Sequence, residues 1–160
     1  MHKEMRRKDR LLSDQETRAV LEKGRYGVLA TVDADGAPYG VPISYAVMNG
    51  EIYFHCAKTG EKLDNIARNP AVSFTVVGDI QPVFDGGFTT NYESAVAFGK
   101  AREVTDPKEK RDAFLAMVMK YLPGHADAFD HEMRKEPNTR MFAVSCDRLT
   151  GKSRKISVKS

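Results

Sequence analysis

Residues 52–66 read IYFHCAKTGEKLDNI and gather an imidazole (His55), a thiol (Cys56) and two amines (Lys58, Lys62) around Gly60. Period-two alternation along EIYFHCA sends Ile52, Phe54 and Cys56 to one face and Tyr53, His55 and Ala57 to the other. The first set is apolar or thiol, so it is the core face, and Cys56 reads as a small buried residue rather than a nucleophile. His55 then points outward. Taken alone it reads as a surface or interface histidine ahead of a functional one. Gly60 supplies a turn, and the helix that begins near Glu61 aims its unpaired amides back at the strand end. A lysine in that first turn opposes the helix dipole unless an anion neutralises it. Lys62 therefore reads as a phosphate contact, with a solvated surface lysine as the alternative.

The flanking elements must position this segment. Ser13, Glu16 and Gly24 outline a short capped helix. RYGVLATVD alternates, with Tyr26, Val28, Ala30 and Val32 on one side. A D-G turn at Asp35–Gly36 leads to YGVPISYAV, which places Tyr39, Val41, Ile43, Tyr45 and Val47 together. Asn49–Gly50 is a strong hairpin signal, and EIYFHCA is the third strand. A helix, EKLDNIARN, ends before Pro70. AVSFTVVG and ESAVAFGKAREV are the next two strands. Asp106 and Pro107 open a long helix, ADAFDHEMRKE is a second helical piece, and RMFAVSCDRLTGKSRKI is the last strand. Tight turns between strands make them antiparallel, and six strands with few helices predict a small barrel capped by helices. Pro42 marks an edge or a bulge, where backbone groups are open to a ligand or simply turn a barrel corner. Tyr45 and Tyr53, read as outward-facing, call for cover, and a two-fold dimer supplies it.

A chain of 160 residues is predicted to be one domain, residues 1–160, with 1–10 and 152–160 as flexible tails. The net charge of +3 gives no argument for nucleic acid. Two cysteines without metal-type spacing suit free thiols in a reducing cytoplasm. The basic N-terminus is followed by no apolar segment, so no secretory signal or membrane span is expected. His125 and His131 are six apart, off a common helical face, and read as surface residues; no metal site is expected.

The stretch GVLATVDADGAPYGVPISYAVMNGEIYFHCAKTGEKLDNIARNPAVSFTVVG resembles the flavin-binding split-barrel family of the pyridoxamine 5'-phosphate oxidase type, and within it the nitroimidazole-resistance (Nim) branch. The matching features are MRRKDR, the LAT strand, DG-PY-VP-S, IYFH-A--G-K-DN and NP-VSF-VVG. The likeness runs over residues 5–150 and is densest from 25 to 78.

The resemblance implies a mostly β fold, a six-stranded antiparallel split barrel with flanking helices, assembled as a homodimer with FMN at the interface. It places Ala30, Thr31, Val41, Pro42, Ile43 and Ser44 near the flavin ring or its ribityl chain. It sets His55, Cys56 and Ala57 around the cofactor and Lys62 on its phosphate. At the His55 position, the Nim branch ties a histidine to activity or to a small molecule beside the flavin. The activity implied is FMN-dependent reduction of a small acceptor such as a nitroimidazole or other nitroaromatic. The alternatives are a haem-binding member of the fold and a non-catalytic flavin-binding or redox-sensing dimer. Vitamin B6 oxidation is not implied, because the basic C-terminal pattern and its tryptophan have no counterpart here; the chain holds no tryptophan.

Overall fold

A computed structural model describes residues 4–84, 86–130 and 139–155. Helix α1 (Asp14–Lys23) starts at a full capping box between Ser13 and Glu16. Four short strands follow: β1 (Gly27–Val32), β2 (Pro38–Ile43), β3 (Ala46–Met48) and β4 (Glu51–Cys56). Helix α2 (Glu61–Arg68) leads into two long strands, β5 (Ala71–Phe84) and β6 (Phe88–Glu103). Helix α3 (Pro107–Tyr121) is capped by the Asp106 carboxylate, which accepts from the Glu109 amide at 2.7 Å. A 3-10 turn (Pro123–Ala128) and strands β7 (Arg140–Val144) and β8 (Arg148–Arg154) complete the order. The second helical piece expected over 126–136 falls mostly on 131–138, outside the described residues.

The strands form one antiparallel sheet in the order β2-β1-β5-β6-β7-β4-β3, with β8 also on β6. β6 makes the split. Its Tyr92–Phe98 stretch pairs with β8, and its Ala101–Glu103 end pairs with β7. The two ends of the path, β2 and β3, are neighbours in the chain, so the sheet curls into an open barrel. Leu29, Ile52, Phe54, Phe74, Val76 and Val144 are fully buried inside it.

There are eight strands where six were expected, because two expected strands break. The second breaks at Ser44–Tyr45. There the Tyr121 hydroxyl accepts from the Tyr45 N–H (3.0 Å) and lies 2.9 Å from the Tyr45 carbonyl oxygen, replacing ladder bonds. The last breaks at Ser145–Asp147, where the Ser145 amide donates to the Lys100 carbonyl at 3.1 Å. Pro42 does lie on an edge, since β2 ends the sheet and pairs only with β1.

The outward reading of Tyr45 and Tyr53 is corrected. Both are buried, at 0% and 1% exposure, within the single chain. Helix α3 covers the face of β4 that alternation assigned to the outside, so β4 is packed on both sides. The Tyr53 hydroxyl lies 2.7 Å from a Glu109 carboxylate oxygen, and Arg102 bridges Glu109 and Glu51 at 2.6 Å each. The Tyr45 hydroxyl donates to the Leu21 carbonyl. Neither tyrosine needs a partner chain.

Candidate functional site

The end of β4 brings Lys62 and Arg140 near Cys56, among the carboxylates of Glu103 and, in the first turn of α2, Glu61 and Asp64. Cys56 is buried and sits directly opposite Arg140 in the β4–β7 register. Arg140 donates to both carboxylate oxygens of Glu103, at 2.8 and 2.6 Å, and reaches the Lys58 carbonyl at 3.3 Å. Its guanidinium is therefore held in a fork and oriented toward the Lys58–Lys62 loop. Lys62 stands in the first turn of α2. The Cys56 thiol registers both cations. Burial pushes its pKa up, and the charges of Lys62 and then Arg140 oppose that rise. Arg140 in turn holds the Glu103 carboxyl below its ordinary value through their hydrogen bonds.

Gly60 makes the turn possible. Its φ of 146° is a conformation that favours glycine, and open space lies where a Cβ would stand. Among the described residues no side chain caps the α2 N-terminus. The helix end, Lys62 and Arg140 thus converge on one strand end, and a dianion such as a phosphate monoester matches that donor set.

A cleft of about 460 Å³ opens on the outer face of the sheet, lined by Ala30, Thr31, Val32, Pro38, Ser73 and Phe98 among others. Arg148 lies over the Phe98 ring, 3.8 Å from its centroid, and its Nε is buried with no hydrogen-bond partner among the described residues. A planar, partly polar ligand fits such walls and offers that donor an acceptor. The cleft and the cationic end are joined through Thr31. Its Oγ1 accepts from Asn65 Nδ2 of α2 at 3.1 Å, and both residues are buried.

The residues singled out from sequence fall into four places. Ala30 and Thr31 line the cleft. Cys56 and Lys62 mark the cationic strand end, with Ala57 exposed just beyond it. Val41 and Ile43 are partly buried on β2, and Pro42 is exposed opposite Val28. Ser44 is exposed in the break after β2. His55 projects from the face of β4 opposite to Cys56. Its Nδ1 is 3.3 Å from Met117 Sδ, and its ring is tilted against Phe114 of α3. Arg140, Arg148 and Phe98 were not singled out from sequence. A signal existed for Arg140 alone: it opens an apolar strand just as Cys56 closes one, and antiparallel pairing sets such ends side by side.

Fold and site define an antiparallel split barrel with an open-faced cleft, linked by the Thr31–Asn65 hydrogen bond to the helix that carries Lys62. The chain belongs to the pyridoxamine 5'-phosphate oxidase family, whose sequence profile matches residues 13–153. No curated protein sequence matches the chain. Among solved structures it is similar to a candidate 5-nitroimidazole antibiotic resistance protein from Bacteroides thetaiotaomicron. That pair shares 23% identity over 89% of this chain and 86% of the other, with a TM-score of 0.76. An FAD-binding protein from Mesorhizobium loti is 26% identical over 91% and 98% of the two chains, with a TM-score of 0.64. An FAD and haem binding protein from Mycobacterium smegmatis is 22% identical over 92% and 74%, with a TM-score of 0.76. Among the described residues no helix is long and apolar enough to cross a membrane.

Proposed function

We propose that this chain is an FMN-dependent oxidoreductase that reduces a small acceptor of the nitroaromatic class. The observation that carries the reading is the convergence of Lys62, Arg140 and the uncapped α2 N-terminus at the end of β4. The flavin-binding proteins among its structural neighbours support it.

Lys62 and Arg140 share the charge of the FMN phosphate, and Glu103 fixes the direction of the Arg140 fork. Ala30, Thr31, Val41, Pro42, Ile43 and Ser44, on β1 and β2, hold the ring and ribityl chain. Cys56 and Ala57 close the strand end beneath them. The apolar lining of Val32, Pro38 and Phe98 keeps water from the ring face, and Arg148 Nε gives a donor to a ring heteroatom. Bound FMN supplies the electron-transfer chemistry. His55 holds or donates a proton for the acceptor.

A homodimer belongs to the same reading. The tyrosines that suggested it are buried, and the basis passes to the outer sheet face, where Val28, Val77 and Ile80 are exposed at 38%, 48% and 60%. Two such faces brought together enclose the cleft.

The test is the identity and stoichiometry of the cofactor. The purified protein is titrated with FMN, FAD and haem, and the released chromophore is identified. One FMN per chain is expected, reducible and reoxidised by a nitroimidazole. A protein that takes up haem and no flavin, or whose reduced flavin passes electrons to no acceptor, overturns the reading.

A further inference from the structure

The two ends of the chain carry its excess of positive charge. Segments 1–10 and 148–160 hold ten of the 25 Lys and Arg residues and two of the 22 Asp and Glu, so the chain between them is net negative. The overall +3 averages this away. The fold lays the end of the first segment against the second. The Leu12 amide donates to the Gly151 carbonyl at 3.1 Å, and Leu11 forms a β-bridge with Lys152. Arg10 therefore lies beside β8.

Phe98 opposes Arg148, Ser94 opposes Lys152 and Tyr92 opposes Arg154. Directly opposed residues point the same way. Phe98 and Arg148 line the cleft, so Lys152 and Arg154 stand on the cleft's face, about 13 and 20 Å of strand beyond Arg148. The alternate positions turn inward: a Cβ at Gly151 would strike the Thr17 side chain. Arg10 reaches the same outer face. Its Nη1 donates to the Tyr92 hydroxyl at 3.3 Å, and the Lys152 ammonium lies 5.6 Å from that ring's centroid. Burial raises the Tyr92 pKa, but hydrogen bonds from Arg10 and Lys152 outweigh it and bring the phenol below its ordinary value. Among the described residues neither Lys152 nor Arg154 forms an ion pair, and Arg10 meets only the exposed Asp9, at 3.9 Å. The row lies across β6 from the exposed Val28 and Val77, so a partner seated on those valines does not require these cations.

We propose that Lys152, Arg154 and Arg10 hold the phosphates of a nicotinamide dinucleotide phosphate whose reduced ring enters the cleft beside Phe98 and supplies the electrons. The phosphate at Lys62 and Arg140 uses β8 nowhere, and the flavin ring uses it only at Arg148, so the rest of the row is left for a second ligand. The order of groups along that ligand is the order along the face. A planar ring at one end meets the cleft wall, a pyrophosphate follows, and a phosphate monoester stands on the far ribose. Lys152 meets the pyrophosphate. Arg154 and Arg10 meet the monoester, a dianion that matches guanidinium forks. In the transfer the dihydropyridine ring loses a hydride and becomes the pyridinium; the hydride passes to the flavin, with one proton from solvent. The flavin reading enters only as the destination of those electrons.

The test measures NADPH and NADH binding anaerobically, by calorimetry, in the full-length parent, in Lys152→Gln/Arg154→Gln and in Lys108→Gln, a lysine of α3. The parent is expected to bind NADPH about tenfold or more tighter than NADH, which lacks the monoester, and the double variant to lose about tenfold or more of NADPH affinity. Lys108→Gln is expected to match the parent. Equal affinity for the two dinucleotides in the parent, or a double variant that binds like the parent, overturns the site. A loss in Lys108→Gln as large as in the double variant shows attraction to net charge alone and overturns it too. Flavin binding is measured separately. NADPH preference in a chain that takes up no flavin leaves the dinucleotide site standing and removes the flavin reading; flavin uptake without NADPH binding does the reverse. In the flavin-loaded parent NADPH is expected to bleach the flavin absorbance, and bound NADPH that never bleaches it overturns the donor role.

Discussion

Arg140 and Glu103 form a two-pronged ion pair between neighbouring strands, with Nε and Nη2 each donating to a different carboxylate oxygen at 2.8 and 2.6 Å. The pair leaves Nη1 directed at the Lys58 carbonyl, 3.3 Å away, on the loop that leads to Lys62. The fork matters as much as the charge, because lysine cannot occupy two acceptors in a plane. Replacing Arg140 by alanine is expected to weaken FMN by roughly 1.5–3 kcal/mol, the usual worth of a hydrogen bond to a charged group. Arg140→Lys is expected to recover less than half of that. Equilibrium titration of both variants checks the order.

His55 is expected to serve the acceptor step. Its ring rests on Phe114 and Met117 of α3, so a phenylalanine fits the same contacts. His55→Phe should keep FMN and slow reoxidation by a nitroimidazole. Stopped-flow reoxidation of the reduced protein, with bound FMN measured alongside, reads both. Parent-rate reoxidation would remove His55 from the chemistry.

Lys120 gives a pH dependence of stability. Its Nζ is buried without a hydrogen-bond partner among the described residues and lies 3.7 Å from the Tyr45 ring centroid. Burial, and next the charge of Arg25, push its pKa down from 10.5 to about 8. Below that value both folded and unfolded chains carry the proton, and the cost of burying the ammonium is present in full. Between about 8 and 10.5 the unfolded chain still binds a proton that the folded chain has released. Stability therefore rises with pH across that window. Lys120→Met should flatten the rise and stabilise the fold at pH 7, as urea midpoints from pH 7 to 10 would show.

Gly99 is expected to tolerate no side chain. A Cβ there would stand 1.8 Å from the Ser145 carbonyl oxygen, a backbone atom at the corner between β7 and β8. Gly99→Ala should cost at least the ~1–3 kcal/mol of ordinary overpacking, because backbone yields less than side chain. A lower denaturation midpoint with unchanged slope is the signature.

Local features were readable without coordinates. The Ser13 capping box, the Asp106 cap and the Asn49–Gly50 turn are set by residues a few positions apart, and each stands where its signal lies. What depends on distant contacts was not readable. Tyr53 alternates outward, and only the return of α3 buries it. The break at Ser44–Tyr45 is made by a hydroxyl from Tyr121. The ribbon beyond Val77 contains Pro82, Asp79 and Gln81 and carries no strand pattern of its own; pairing with β6 creates it. Lys62 was legible because helix start and lysine adjoin in sequence. Arg140 was hidden because its partners, Glu103 and the Cys56 strand end, are set by register.

The most direct measurement is the ratio of FMN to riboflavin affinity in the parent chain and in Lys62→Ala. The two flavins differ only in the phosphate. A phosphate held at Lys62 requires the parent to prefer FMN, and the variant to lose roughly ten- to a hundredfold of that preference, the equivalent of 1.5–3 kcal/mol, while riboflavin affinity stays the same. Equal affinity for the two flavins in the parent, or an unchanged ratio in Lys62→Ala, would contradict the phosphate cradle at the end of β4.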